Sequence, residues 1–232
     1  MSATKDFRQR YWARSMLGFP VMMEAKPNTS HFAIQTLLEM NPKNSLITQN
    51  VDGLHVKAGS SCVEMHGTLH FVECQNCNEK IDRSHLQNIL YEMNPEIYKW
   101  SLSNPSKIGF DVSSSLKVNP DGDSEVTWDY SDFNFPHCSK CKDGILKPSV
   151  VFFGENIKQK VRDKTFDLVD QSDVLVVIGS SLAVYSSLRL VKRAAMQKKP
   201  VIILNHGETR GDGLAFAKID SKCNDILQDW IR

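Results

Sequence analysis

The chain has 232 residues, 41% of them hydrophobic and 24% charged; that is ordinary globular usage, and it fits one fair-sized domain or one domain with a small lobe. Its 28 basic and 27 acidic side chains leave a net charge of +1, so no bulk electrostatic drive favours nucleic acid or an acidic membrane, and direct binding to either is not expected. The longest apolar stretch, residues 174–179, falls far short of the ~20 residues that span a bilayer, and Met1-Ser-Ala-Thr-Lys-Asp6 shows no apolar segment of the secretory-signal kind.

Residues 1–27 are mixed in character. Thr29 or Ser30 is the expected N-cap of a helix in which Phe32, Ile34, Leu37, Leu38 and Met40 follow helical spacing, with Pro42 just past its end. Residues 45–48 read as a short strand, leading into Gln49-Asn-Val-Asp-Gly-Leu-His55 and a short helix that stops at Gly59. Residues 62–64 and 69–73 read as strands around His66-Gly67. From 100 to 135 Ser, Asn, Asp, Pro and Gly dominate, the composition of a mobile insertion. Beyond it, strands and helices alternate. A strand at 149–153 precedes a helix at 157–171 with Val161, Leu168 and Val169 on its buried face, and then comes the continuous β-branched run 173–179. A helix at 185–198, a strand at 200–205, a short strand at 215–220 and a helix at 223–231 complete the series.

Apolar strands without polar alternation are covered on both faces, and their alternation with helices implies a doubly wound, parallel, Rossmann-like α/β sheet. The expected division is a Rossmann-like domain at 1–67 and 145–232, with a small inserted lobe at 68–144.

Six cysteines are too few for a disulfide scaffold at this length, but four form two pairs, Cys74-Gln-Asn-Cys77 and Cys138-Ser-Lys-Cys141. Each pair puts two thiolates on one turn, and two such turns make the tetrahedral sulfur shell that Zn2+ prefers. A closed shell leaves no place for substrate, so the expected ion is a single structural zinc that stabilises a lobe too polar to hold its own core. An iron–sulfur cluster or a redox pair is the alternative. Cys62 and Cys223 read as buried small apolar residues.

Three polar clusters sit where parallel strands end, the position at which open α/β sheets bind ligands. They are Gln49-Asn50-Val51-Asp52, Gly179-Ser180-Ser181 and Asn205-His206-Gly207. Glycine admits close backbone approach, and serine hydroxyls suit ribose or phosphate oxygens. Such turns also cap helices; three at successive strand ends favour a nucleotide. His66 offers an imidazole that can act as a general base near neutral pH.

Taken together, Thr48-Gln-Asn-Val-Asp-Gly-Leu-His55, His66-Gly67, the two cysteine pairs, Lys147-Pro-Ser-Val-Val-Phe-Phe-Gly-Glu155, Gly179-Ser-Ser181 and Asn205 resemble the sirtuins, NAD-dependent protein deacylases, in the family's own order. Arg8-Gln-Arg-Tyr-Trp-Ala-Arg14 and the Cys223-Asn-Asp-Ile-Leu ending are similar to its mitochondrial, class II, sirtuin-4-like branch. The resemblance implies NAD as cofactor, a structural zinc and acylated lysines of proteins as substrate. It implies that Gln49, Asn50, Val51 and Asp52 hold the nicotinamide and its ribose, and that His66 is the base. Gly179, Ser180, Ser181, Asn205, His206, Gly207 and Cys223 would bind the adenosine half. Val150, Val151, Phe152, Phe153 and Gly154 would pair with the substrate peptide, and Tyr11 and Arg14 would line the acyl pocket, where an Arg can pair with a carboxyl-tipped chain. ADP-ribosyl transfer to protein and a zinc-stabilised binding module without turnover are the rival functions. The branch implies the mitochondrial matrix, with the cytoplasm or nucleus as the alternative.

One departure stands beside the match. The family's opening strand and its Gly-Ala-Gly loop have no counterpart here, Asp6-Phe7-Arg8 echoes the segment ending Pro-Asp-Phe-Arg only by coincidence since no Gly-Ile-Pro precedes it, and the chain's one G-x-G, Gly211-Asp-Gly213, opens no strand-to-helix crossover. On that reading the sheet is N-terminally incomplete, NAD binding is weakened and turnover is impaired.

Overall fold

The computed structural model describes residues 4–104, 108–109, 116–117 and 129–231. In chain order the elements are α1 Lys5–Glu24, α2 Thr29–Met40, β1 Leu46–Thr48, α3 Leu54–Lys57, β2 Cys62–Glu64, β3 Gly67–Cys74, β4 Lys80–Asp82, α4 Arg83–Met93, α5 Pro95–Ser103, β5 Ile108–Gly109 and β6 Leu116–Lys117. They continue with β7 Leu146–Val150, α6 Gln159–Gln171, β8 Leu175–Ile178, α7 Tyr185–Met196, β9 Val201–Leu204, a 3-10 turn Asp212–Leu214, β10 Ala217–Ile219 and α8 Cys223–Trp230. The chain divides into two compact units: residues 1–25, 50–53 and 67–154 form one, and 26–49, 54–66 and 155–232 the other. The sequence places the boundaries at 1–67 with 145–232 and 68–144; residues 1–25, 50–53, Gly67 and 145–154 instead belong with the cysteine pairs. Which core an amphipathic segment joins is a long-range matter that local composition does not encode.

In the first unit α1 supplies several of the largest buried side chains, Trp12, Met16 and Met22. Trp12, Ala13, Met16 and Leu17 pack on Val72 and Cys74 of β3, Leu86 and Leu90 of α4, Phe133 and Leu146. This helix was not evident from the sequence because its apolar residues cluster late and Pro20 lies inside it. Burial of Phe19 and Met22 against Leu69 offsets the backbone bond that a helical proline forfeits. Strand β7 runs antiparallel to β3, with Val72 opposite Pro148 and Glu73 opposite Lys147, so the expected strand at 149–153 starts earlier and belongs to this antiparallel sheet rather than to the parallel one. Pro148 is tolerated because β7 is the outer strand of the β4-β3-β7 sheet.

Arg83 is buried, and its guanidinium donates to Gln87 Oε1 at 2.6 Å and to the Ser15 carbonyl and hydroxyl at 3.3 and 3.1 Å. Its cation lies 4.2 Å from the Phe19 ring centroid. These contacts fasten α1 to α4 without a carboxylate partner among the described residues.

Both ends of the mobile insertion expected at 100–135 carry ordered structure. Helix α5 continues to Ser103. Gln9 Nε2 donates to the Ser131 and Phe133 carbonyls at 2.6 and 3.1 Å, and Asn94 and Asn134 exchange two hydrogen bonds of 2.7 and 2.8 Å. Residues 105–107, 110–115 and 118–128 lie outside the described residues.

The second unit carries the parallel strands. The order β10-β9-β8 is parallel throughout, and β1 pairs with β2 in the same sense. The fold is thus mixed α/β with parallel sheets, in two separate pieces among the described residues. Central β9 is buried, and Val201 and Ile203 share a core with Val177 of β8, Val169 of α6 and Leu188, Val191 and Ala194 of α7. On its other side Leu204 meets Ala33 of α2 and Leu227 of α8. Expected to be covered on both faces, β8 is instead an outer strand among the described residues, with Val174 and Val176 exposed. The cap of α2 is Asn28 rather than Thr29 or Ser30. Its Oδ1 accepts the His31 amide at 3.2 Å, while His31 Nδ1 meets the Asn28 amide at 3.2 Å, a reciprocal capping box with histidine in the usual acidic position.

Candidate active site and metal centre

The cysteine pairs sit on two turns of the same form. In each, an amide four residues beyond the first cysteine returns to that cysteine's carbonyl: Asn78 to Cys74 at 3.0 Å and Lys142 to Cys138 at 2.9 Å. Asn78 and Lys142 both take the left-handed conformation, with φ of 59° and 71°, and this turns the chain tightly enough for both thiols to face inward. The Asn76 and Cys77 amides donate to Cys74 Sγ at 3.4 and 3.5 Å, which favours a thiolate there.

All four sulfur atoms lie within 4.8 Å of one another, with Cys74–Cys141 at 3.6 Å and Cys77–Cys138 at 3.7 Å. Tetrahedral bonds of ~2.3 Å place neighbouring sulfurs about 3.8 Å apart, so the donor set fits zinc. Gly144 completes the shell. A Cβ there would stand 2.2 Å from Cys74 Sγ and 2.6 Å from Cys141 Sγ, so the backbone closes on the cluster where no side chain fits.

Within the second unit the loops after β1, β2 and β8 meet. Gln49 follows β1, and its Nε2 donates to Ser180 Oγ, just after β8, at 2.8 Å. The Ser180 hydroxyl also accepts the Leu182 amide at 3.2 Å. His66 follows β2; its Nδ1 lies 3.0 Å from the Gln49 carbonyl and its Nε2 lies 2.8 Å from Ser186 Oγ. A carbonyl only accepts, so Nδ1 carries the proton and Nε2 presents its lone pair to the serine hydroxyl. The imidazole is half-buried and oriented from both sides, with Nε2 as its proton-accepting atom.

Elsewhere in this unit Gly179 adopts φ +62°, and the Cys223 thiol lies 3.4 Å from where its Cβ would be. Burial raises the pKa of that thiol, consistent with a packed rather than reactive cysteine. Asn205 Nδ2 donates to the His206 and Gly207 carbonyls at 3.0 and 3.3 Å, and Asp220 accepts the Gly207 amide at 3.0 Å and faces His206 Nδ1 at 3.1 Å. The Gly207 amide and the His206 ring hold the Asp220 carboxyl below its ordinary pKa. The Ser181 carbonyl accepts the Arg210 amide at 3.0 Å.

In the first unit Asn50, Val51 and Asp52 lie on a loop docked against β3. The Val51 carbonyl accepts the Leu69 amide at 2.9 Å, and His70 Nε2 reaches the Asp52 carbonyl at 3.2 Å. A Cβ on Gly53 would stand 2.3 Å from His70 Nε2, so this loop needs glycine. The Tyr11 ring meets Phe152 edge-on at 5.4 Å, and the Lys147 ammonium lies 4.8 Å from the same Phe152 ring. Strand β7 ends at Val150, so Val151, Phe152, Phe153 and Gly154 are not part of it; Phe153 is 95% exposed. Arg14 is half-buried on α1. Sequence reasoning missed Ser186, His70 and Gly144. Each is an ordinary residue whose meaning comes only from a neighbour distant in the chain.

The Sir2 family model matches residues 1–186. The chain belongs to the Sir2 family. It is 51% identical over 228 residues to the NAD-dependent protein deacylase SIR4 of Batrachochytrium dendrobatidis, covering 97% of this chain and 74% of that one. It is 40% identical over 222 residues to the NAD-dependent protein lipoamidase sirtuin-4, mitochondrial, of Bos taurus, covering 95% of this chain and 66% of that relative's length. Among solved structures, Sir2Tm bound to a propionylated peptide superposes with a TM-score of 0.67 at 27% identity, covering 91% of this chain and 72% of that one. Sirtuins use NAD, and the relatives named here are an NAD-dependent protein deacylase and an NAD-dependent protein lipoamidase.

Proposed function

We propose that this chain acts as an NAD-dependent protein lysine deacylase that passes the acyl group to ADP-ribose and releases nicotinamide. The observation that carries the reading is the fixed tautomer of His66, whose Nδ1 proton is committed to the Gln49 carbonyl and whose Nε2 faces a hydroxyl at 2.8 Å. That is the state a general base needs before it takes a proton from a ribose hydroxyl. NAD supplies a ribose carbon made electrophilic by its nicotinamide leaving group. The chain's own residues bind and orient. Gln49, Asn50, Val51 and Asp52 hold the nicotinamide ribose end. Gly179, Ser180, Ser181, Asn205, His206, Gly207 and Cys223 hold the adenosine end, where the Gly179 and Gly207 backbones, with φ +62° and +82°, admit close approach.

Val150 to Gly154 receive the substrate peptide as an added strand, and the exposed Phe153 suits such a contact. Tyr11 and Arg14 line the acyl pocket, with Arg14 favouring carboxyl-tipped acyl chains. Cys74, Cys77, Cys138 and Cys141 hold one structural zinc. A mitochondrial location accords with the bovine relative's name.

Incubation with NAD and acetyl-, glutaryl- or lipoyl-lysine peptides, read by mass spectrometry, tests the assignment. Nicotinamide together with O-acyl-ADP-ribose supports it. ADP-ribose attached to protein would move the assignment to ADP-ribosyl transfer. The absence of any product, with NAD binding retained, would leave a binding module.

A further inference from the structure

Ser186 belongs to none of the roles above, yet it makes the shortest contact to the base. Its Oγ lies 2.8 Å from His66 Nε2, the reach expected between a nucleophile and its general base. The base is in turn oriented by a third group, the Gln49 carbonyl at 3.0 Å, and Gln49 is itself held by Ser180 at 2.8 Å. Ser186 is the second residue of α7, a twelve-residue helix whose cap position, Val184, offers no side-chain acceptor. First-turn amides of a helix lack intrahelical acceptors, so the nucleophile's own amide is available to an oxyanion formed beside it. Ser186 is half-buried and still reachable from solvent.

We propose that Ser186, His66 and the Gln49 carbonyl form a second catalytic arrangement, an NAD-independent acyl-transfer site that takes small activated acyl esters. Ser186 Oγ bonds to the acyl carbonyl carbon while its proton passes to His66 Nε2. The carbon–oxygen bond to the alcohol then breaks, and Nε2 returns the proton to the departing oxygen, leaving an ester on Ser186. Water repeats the sequence: it gives a proton to Nε2, its oxygen attacks the ester carbon, and Ser186 Oγ leaves with the proton as the carboxylic acid departs. No oxidant or second reactant is required. The orienting group is a neutral carbonyl rather than a carboxylate. It offers no countercharge to the imidazolium, which restricts the site to good leaving groups such as nitrophenol.

The test uses the full chain with p-nitrophenyl acetate and no NAD, so its failure would leave the deacylase assignment untouched. The expected result is a burst of nitrophenol, an acetyl group on the peptide containing Ser186, and fluorophosphonate labelling of the same residue. Ser186→Ala and His66→Ala should each reduce the rate by about 10²-fold or more, the range general-base removal produces. Ser187→Ala, whose hydroxyl is tied to the Val184 carbonyl at 2.8 Å, should keep it. Ser186→Cys should still accept the acetyl group, which guards against mere disturbance of the helix start. Hydrolysis no faster than buffer, acetyl groups mapped elsewhere, or an unchanged rate in Ser186→Ala would each overturn the proposal.

Discussion

Replacing Gly144 by alanine should cost the protein its zinc. The new Cβ would lie 2.2 Å from Cys74 Sγ, 2.6 Å from Cys141 Sγ and 3.2 Å from Cys138 Cβ. Ordinary van der Waals separation is about 3.5–4.0 Å, so the nearest sulfur or the backbone must move by about 1.3 Å or more. Metal sites tolerate displacements of only about 0.2 Å in ligand distance. Two of the four thiolates therefore leave bonding range, and the shell cannot re-form by rotating one flexible side chain. Simple overpacking costs about 1–3 kcal/mol; the loss here should be larger, because zinc-binding free energy, about 10–16 kcal/mol in small zinc domains, is also folding free energy. Released metal can be counted with a pyridylazo-resorcinol dye and melting followed by circular dichroism. Wild type should hold one zinc per chain, and Gly144→Ala should hold well below one and melt lower. Chelator-treated wild type should melt like the variant. A Gly144→Ala protein with a full zinc and the wild-type Tm would refute the geometric argument.

Two further outcomes follow from local geometry. Gly67 adopts φ +83°, and a Cβ there would meet the Ser149 carbonyl oxygen at 2.0 Å. Gly67→Ala combines the ~1–3 kcal/mol left-handed penalty with a backbone clash, and should lower the urea midpoint strongly while breaking the β3–β7 pairing next to His66; a midpoint within error of wild type would count against it. Asp170 has its pKa lowered to about 2 by hydrogen bonds from Arg193 first and Gln197 second. A carboxylate whose folded pKa lies below its unfolded value of 3.8 contributes stability that is present above that pH and lost as pH falls toward 2. Asp170→Asn should therefore be less stable than wild type at neutral pH and lose less of its stability between pH 5 and about 2. Parallel pH–stability curves would contradict the assignment.

Much of the framework is visible in the residues themselves. The apolar runs at 173–179 and 200–205 announce β8 and β9, and the observed strands fall inside them; the missing polar alternation reflects cover on both faces for the central β9 but not for the outer β8. The two cysteine pairs announce their own turns, and the four thiols do meet. Other features lie outside local reach. Helix α1 has no clean apolar stripe, and its Trp12 finds a core only once β3 and α4 exist. The apolar run after Lys147 signals a strand but not its direction, which is set by pairing with β3 through Val72 opposite Pro148. Asn28 caps α2 because His31 can answer it, a pairing hidden among several residues that could cap. Ser186 gains meaning only from His66, 120 positions away.

The most direct test compares wild type and His66→Ala in one reaction with NAD and an acylated-lysine peptide, with O-acyl-ADP-ribose followed by mass spectrometry and NAD binding by titration calorimetry. The substitution removes the imidazole that Gln49 and Ser186 hold and should leave NAD affinity within a few-fold while lowering product formation by about 10²–10⁴-fold. Equal product formation by the two proteins would contradict the assignment of His66 as the base.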